Sequence, residues 1–116
     1  MTPPRPLDVV FYRTASGKEP VREWLKALHK TDKRRIGEDI KTVQYGWPLG
    51  MPVVRKLEKN LWEVRTVLAQ KSARVLFTLE DQTIVLLHGF IKKSRQTPQD
   101  DLALAKQRMN DIKKGY

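Results

Sequence analysis

The residues with the most chemical potential lie on three β-rich runs: Leu61 to Leu68, Ala73 to Glu80 and Thr83 to Lys92. In the first, strand alternation separates Leu61, Glu63 and Arg65 from Trp62, Val64 and Thr66. With Trp62 and Val64 facing a core, Glu63 and Arg65 point to the opposite face. Arg74 opens the second run, and Lys92, Lys93 and Arg95 lie at the end of the third. Adjacent strands therefore bring a carboxylate and several cations to one region of a sheet face; a slip of one residue in register would reverse each assignment. Such a set suits cleavage of an RNA phosphodiester without a metal. The 2′-OH must lose a proton, the phosphorane must be stabilised, and the leaving 5′ oxygen must gain a proton. Glu63 is the candidate base, Arg65 and Arg74 the phosphate clamp, and His88 or Lys93 the acid. Read passively, the same cations bind RNA without cutting it, or sit as solvated edge charges that discourage aggregation.

These side chains need a scaffold, and the rest of the chain predicts one. Leu7 to Tyr12 is short, β-branched and aromatic, a strand after a flexible Met1 to Pro6 lead-in. Pro20 sits at a helix start, and Val21, Trp24, Leu25 and Leu28 then recur on one helical face, with His29 at its end. Thr31 and Asp32 are capping candidates for a second helix whose stripe is Ile36, Ile40 and Val43, with Lys33-Arg34-Arg35 on its solvated side. Gly46 to Pro52 excludes regular structure, and Trp47 within it either packs on the hairpin end or stacks on a base. Asp81-Gln82 suits a tight hairpin, and the apolar stretch Ile84 to Leu87 a strand buried on both sides. Thr97 reads as a helix cap before Pro98, followed by the stripe Leu102, Ala105, Met109 and Ile112. The expected fold is one α+β domain over residues 1–116, ordered β-α-α-β-β-β-α, its antiparallel sheet carrying the helices on one face.

Composition narrows the partners. Across 116 residues, 23 Lys and Arg face 13 Asp and Glu, a formal net charge of +10. That favours polyanions such as RNA, DNA or an acidic protein. Cysteine is absent and only His29 and His88 are present, so thiol chemistry is excluded and a histidine-built metal site is not expected. No apolar run is long enough to span a membrane, and the N-terminal residues lack a signal peptide's apolar core. The sequence reads as a cytoplasmic domain with a basic surface, needing neither cofactor nor membrane.

A set of ordered motifs sharpens this. The stretches Gly46-Trp47-Pro48-Leu49-Gly50-Met51-Pro52-Val53-Val54-Arg55-Lys56-Leu57, Leu61-Trp62-Glu63-Val64-Arg65, Ala73-Arg74-Val75-Leu76-Phe77, Leu86-Leu87-His88-Gly89-Phe90-Ile91-Lys92-Lys93 and Thr97-Pro98 together resemble the RelE/HigB-like toxins of bacterial type II toxin–antitoxin modules, in particular their phage-derived branch. The resemblance spans about residues 8 to 112. It implies a RelE-like fold and an mRNA interferase that cuts mRNA on the ribosome by metal-independent 2′-OH attack. It also implies neutralisation by a HigA-like helix-turn-helix antitoxin, and contact with operator DNA only through that antitoxin. Carried over residue by residue, it places catalytic groups at Glu63 and Arg65, phosphate stabilisation at Arg74, and a basic pair at Lys92 and Lys93. Relatives often hold an aromatic or histidine acid near the C-terminal end, where this chain has Gln99; Lys93 and His88 are left as acids, and Phe90 as a stacking group. Arg55, Lys56, Lys92 and Arg95 join Phe90 as candidate RNA contacts. The alternatives are a ParE-like toxin of the same fold that inhibits gyrase by protein contact, and a non-catalytic RNA-binding module.

Overall fold

The computed structural model describes residues 5–93 and 97–114. In chain order the elements are β1 (Asp8–Phe11), α1 (Pro20–Lys26), α2 (Lys30–Gly46), β2 (Val54–Glu58), β3 (Leu61–Val67), β4 (Ser72–Glu80), β5 (Thr83–Lys92) and α3 (Gln99–Lys113). The β-rich runs of the C-terminal half form the antiparallel meander β3-β4-β5. Asp81, at φ 55°, makes the tight β4–β5 turn, a conformation aspartate tolerates better than most residues. The whole sheet has five strands in the order β1-β5-β4-β3-β2.

Three features differ from the sequence expectation. Val54–Glu58 is a fifth strand on the sheet edge, where its Arg55 and Lys56 remain exposed and hide the apolar alternation. β1 runs parallel to β5, so the sheet is mixed rather than antiparallel. The helices also cover both faces. Val21 of α1 and Ile36, Ile40 and Val43 of α2 pack with Val64, Val75, Phe77 and Leu86. On the reverse face, Ala105 and Met109 of α3 pack with Leu61, Leu76, Val85 and Leu87, with Leu102 and Ile112 against them. The predicted stripes are correct for α2 and α3, but α3 lies across the face expected to be open.

A bulge decides which residues of β5 reach that second face. Phe77 pairs with Leu86 and Leu76 with His88, leaving Leu87 as the extra residue. Simple alternation would put Leu86, His88 and Phe90 together. Instead Leu86 packs toward α1 and α2, whereas His88 pairs with Leu76 and Phe90 with Arg74 on the α3 face. Gly89 then faces α1, where a Cβ would overlap the Trp24 ring. Two caps also differ. His29 begins α2 rather than ending α1, its Nδ1 accepting from Thr31 N–H at 3.2 Å. Pro98 occupies the α3 N-cap, which frees the Thr97 hydroxyl for another partner.

Candidate functional site: a buried ion pair among cations

Strand pairing places Arg55 opposite Glu63, Glu63 opposite Leu76, and Leu76 opposite His88. The next row is Arg65, Arg74 and Phe90, followed by Val67, Ser72 and Lys92. The site is thus three rows deep across four strands, on the α3 face. Glu63 is fully buried at 0 % exposure and Arg74 nearly so at 5 %. Arg74 Nε lies 3.6 Å from Glu63 Oε1, an ion pair too long for a hydrogen bond, and neither atom has a hydrogen-bond partner among the described residues. Arg74 Nη1 donates to Ala73 O at 3.0 Å, and the Thr97 hydroxyl donates to Glu63 Oε2 at 2.9 Å.

The charges do not balance. One carboxylate, Glu63, stands among Arg55, Arg65, Arg74 and Lys92. Burial pushes the Arg74 guanidinium below its ordinary range, and repulsion from Arg65 and Arg55 adds to this against the opposing pull of Glu63. Burial likewise pushes Lys92 down, followed by repulsion from Arg74, with Arg65 and Arg55 adding to it and Glu63 opposing. Such a cluster gains electrostatically from any anion that reaches it. Beside it, His88 Nε2 lies 2.5 Å from Asp101 Oδ1 of α3, and its ring stacks on Phe90 with centroids 5.6 Å apart. Phe90 in turn sits opposite Arg74. An imidazole, an aromatic face and a guanidinium therefore adjoin on one surface.

The expected site residues divide accordingly. Glu63, Arg65, Arg74, His88, Phe90, Lys92 and Arg55 share this face. Lys56 does not, because it pairs with Trp62 and so faces the α1/α2 side. Lys93 is exposed one residue beyond β5, where alternation directs it away from the Lys92 side. Arg95 lies outside the described residues. Trp47 packs edge-on against Trp62 and Phe77 at 5.0 and 5.7 Å, a core role rather than a base-stacking one. Thr97 and Asp101 were not expected here. Their only sequence signal is their place at the start of α3, which matters once α3 is known to cross this face.

Taken together, the mixed five-stranded sheet, its bilateral helices and the basic, charge-paired face define a small α+β domain with an anion-seeking surface. Residues 23–110, well over half of the chain, match the family described as phage derived protein Gp49-like (DUF891). The chain belongs to this phage-derived Gp49-like family, which is associated with RelE/HigB-like toxins. No curated protein matches it. Among the described residues, no helix is long and apolar enough to cross a membrane.

Proposed function

We propose that this protein is the toxin of a toxin–antitoxin module and that it cleaves mRNA on the ribosome without a metal. The observation that carries the reading is the excess of cations on the sheet face around the buried Glu63–Arg74 pair, where Arg55, Arg65, Arg74 and Lys92 share the single carboxylate of Glu63. Arg65, half-buried opposite Arg74, grips the phosphodiester. Arg74 stabilises the charge that develops on the phosphorane. Arg55 and Lys92 draw the strand in, and Phe90 stacks on a base.

Of the two proton-transfer candidates on this face, His88 suits the role better than Glu63. Glu63 is fully buried and its Oε2 already accepts the Thr97 hydroxyl. That suits holding Arg74 in place better than taking a proton from an incoming 2′-OH. His88 is only part-buried and is oriented through Nε2 by Asp101, an arrangement fit for moving a proton. A helix-turn-helix antitoxin with an acidic segment is the partner such a basic protein calls for, and operator DNA is reached through that antitoxin.

Induction in a bacterial host, with and without the neighbouring gene, tests the reading by growth and primer extension. Arrest with mRNA cuts in translated frames is expected, relieved by the neighbour and by Arg74→Ala. Arrest with intact message and DNA damage would replace it with gyrase inhibition. Soluble protein without arrest would leave an RNA-binding module.

A further inference from the structure

A cavity of about 610 Å³ lies between α2 and the outer end of the β3–β4 hairpin. This is within the roughly 300–1,000 Å³ of small-ligand sites. One side is cationic: Arg65 and Arg74 reach it from the sheet, the Arg74 Nε itself being turned inward to Glu63 Oε1 at 3.6 Å. The other side is anionic, formed by Glu38 and Asp39 of α2. Neither of these carboxylates makes a side-chain hydrogen bond or ion pair with a described residue. Two ties hold the walls together. Arg35 Nη1 donates to Val67 O at 3.4 Å, and Lys71 pairs with Asp32 at 3.5 Å, so α2 is fixed to both ends of the hairpin turn. Val67, 77 % exposed, gives the mouth an apolar lip.

A pocket with guanidiniums at one end, free carboxylates at the other and an apolar lip is complementary to a nucleotide. We propose that it is a guanine-selective subsite, holding the base next to the phosphate gripped by Arg65 and Arg74; this rests on the RNA reading above. The choice of base follows from donor geometry. Guanine presents N1–H and N2–H side by side on its Watson–Crick edge, so one carboxylate accepts both. Adenine and cytosine offer a single amino group beside an acceptor nitrogen, and uracil flanks its one N–H with carbonyls that repel a carboxylate. Glu38 and Asp39 thereby set where the chain is cut, whereas Arg74 sets whether it is.

The test titrates the isotope-labelled full chain with the 3′-monophosphates of guanosine, adenosine, cytidine and uridine, and with inorganic phosphate, following backbone amides by NMR. Guanosine 3′-monophosphate should move the amides of Glu38, Asp39 and Val67 and bind about tenfold more tightly than the uridine nucleotide. Glu38→Gln with Asp39→Asn should bring the four nucleotides near parity and keep the response to phosphate at Arg74. Glu38 is exposed and Asp39 half-exposed, so the folded spectrum should persist; the wild-type titration decides the matter even if it does not. Equal affinity for all four nucleotides would overturn the subsite. So would inorganic phosphate alone reproducing every shift, or shifts confined to other surfaces. The readout needs no cleavage: guanine preference in a chain that cuts no RNA would sink the catalytic reading alone, and cutting without guanine preference would sink the subsite alone.

Discussion

The two faces of the sheet are built on opposite principles. Toward α1 and α2, Phe77 stacks on Trp62 with ring centroids 5.8 Å apart, Trp47 meets both edge-on, and aliphatic side chains from every layer close around them. Toward α3, the apolar cluster of Leu61, Leu76, Val85 and Leu87 gives way along the same strands to Glu63, Arg74 and Lys92, all buried. Buried charges without full hydrogen bonding cost stability rather than adding to it. One face holds the fold together, while the other places charge where water is scarce and its field is strong.

If that division is right, the two faces should fail in different ways. Phe77→Ala, on the apolar face, should cost about 3–5 kcal/mol by lost burial and a cavity between two indoles. Urea denaturation measures this, and a loss below ~1 kcal/mol would mean the Trp cluster is not the structural centre. Arg74→Ala, on the charged face, should lower RNA cleavage roughly 10² to 10³-fold, and when Glu63→Gln is added so that no buried carboxylate is left unpaired, the double variant should keep a urea midpoint near wild type. A large loss of stability in the double variant would make Arg74 a structural residue and erase the contrast between the faces. Next in size comes Gly89→Ala. Its methyl group would press into the Trp24 ring on the apolar side, costing about 1–3 kcal/mol, although Phe90 and His88 flank it on the other. Trp24→Leu in the same chain should recover part of the loss, and no recovery would place the strain elsewhere.

The sequence discloses these faces unevenly. The α2 stripe of Ile36, Ile40 and Val43, and the α3 stripe through Ala105 and Met109, are periodic over several turns and locate the helices well. Glu63 and Arg65 on one face of β3, opposite Trp62 and Val64, follow from alternation alone. Which helix covers which face does not, because local pattern carries no information on where a stripe docks. The same limit hides Thr97, whose neighbours suggest a helix cap but whose hydroxyl reaches Glu63 across 34 positions of chain. The bulge at Leu87 lies inside an unbroken apolar run, where nothing marks an extra residue, and it reverses the sense of alternation for His88 and Phe90. β2 is masked by its exposed Arg55 and Lys56. The parts of the site fixed within one strand are readable, and those fixed between elements are not.

The smallest expected effect bears most directly on the cost of the charged face. Lys92 is held below its ordinary pKa by burial and then by Arg74, so the fold disfavours its proton. Below its folded pKa the lysine is charged in both folded and unfolded chains, and the full penalty applies. Between the folded and unfolded values the unfolded chain binds more protons, so stability rises with pH there; the penalty is gone once pH exceeds the unfolded value. Lys92→Met keeps the stem and removes the charge. The variant should therefore be modestly more stable than wild type at neutral pH, and the gap should close as pH rises toward about 10. Urea titrations of both proteins from about pH 7 to 10 measure that gap, and groups common to both cancel. Inorganic phosphate should narrow the gap at neutral pH as well, because an anion bound beside Arg74 stabilises the wild type by offsetting the same repulsion. A gap that is constant with pH, or a variant less stable than wild type at neutrality, would mean that Lys92 carries no electrostatic penalty and that the cation excess is already balanced within the fold.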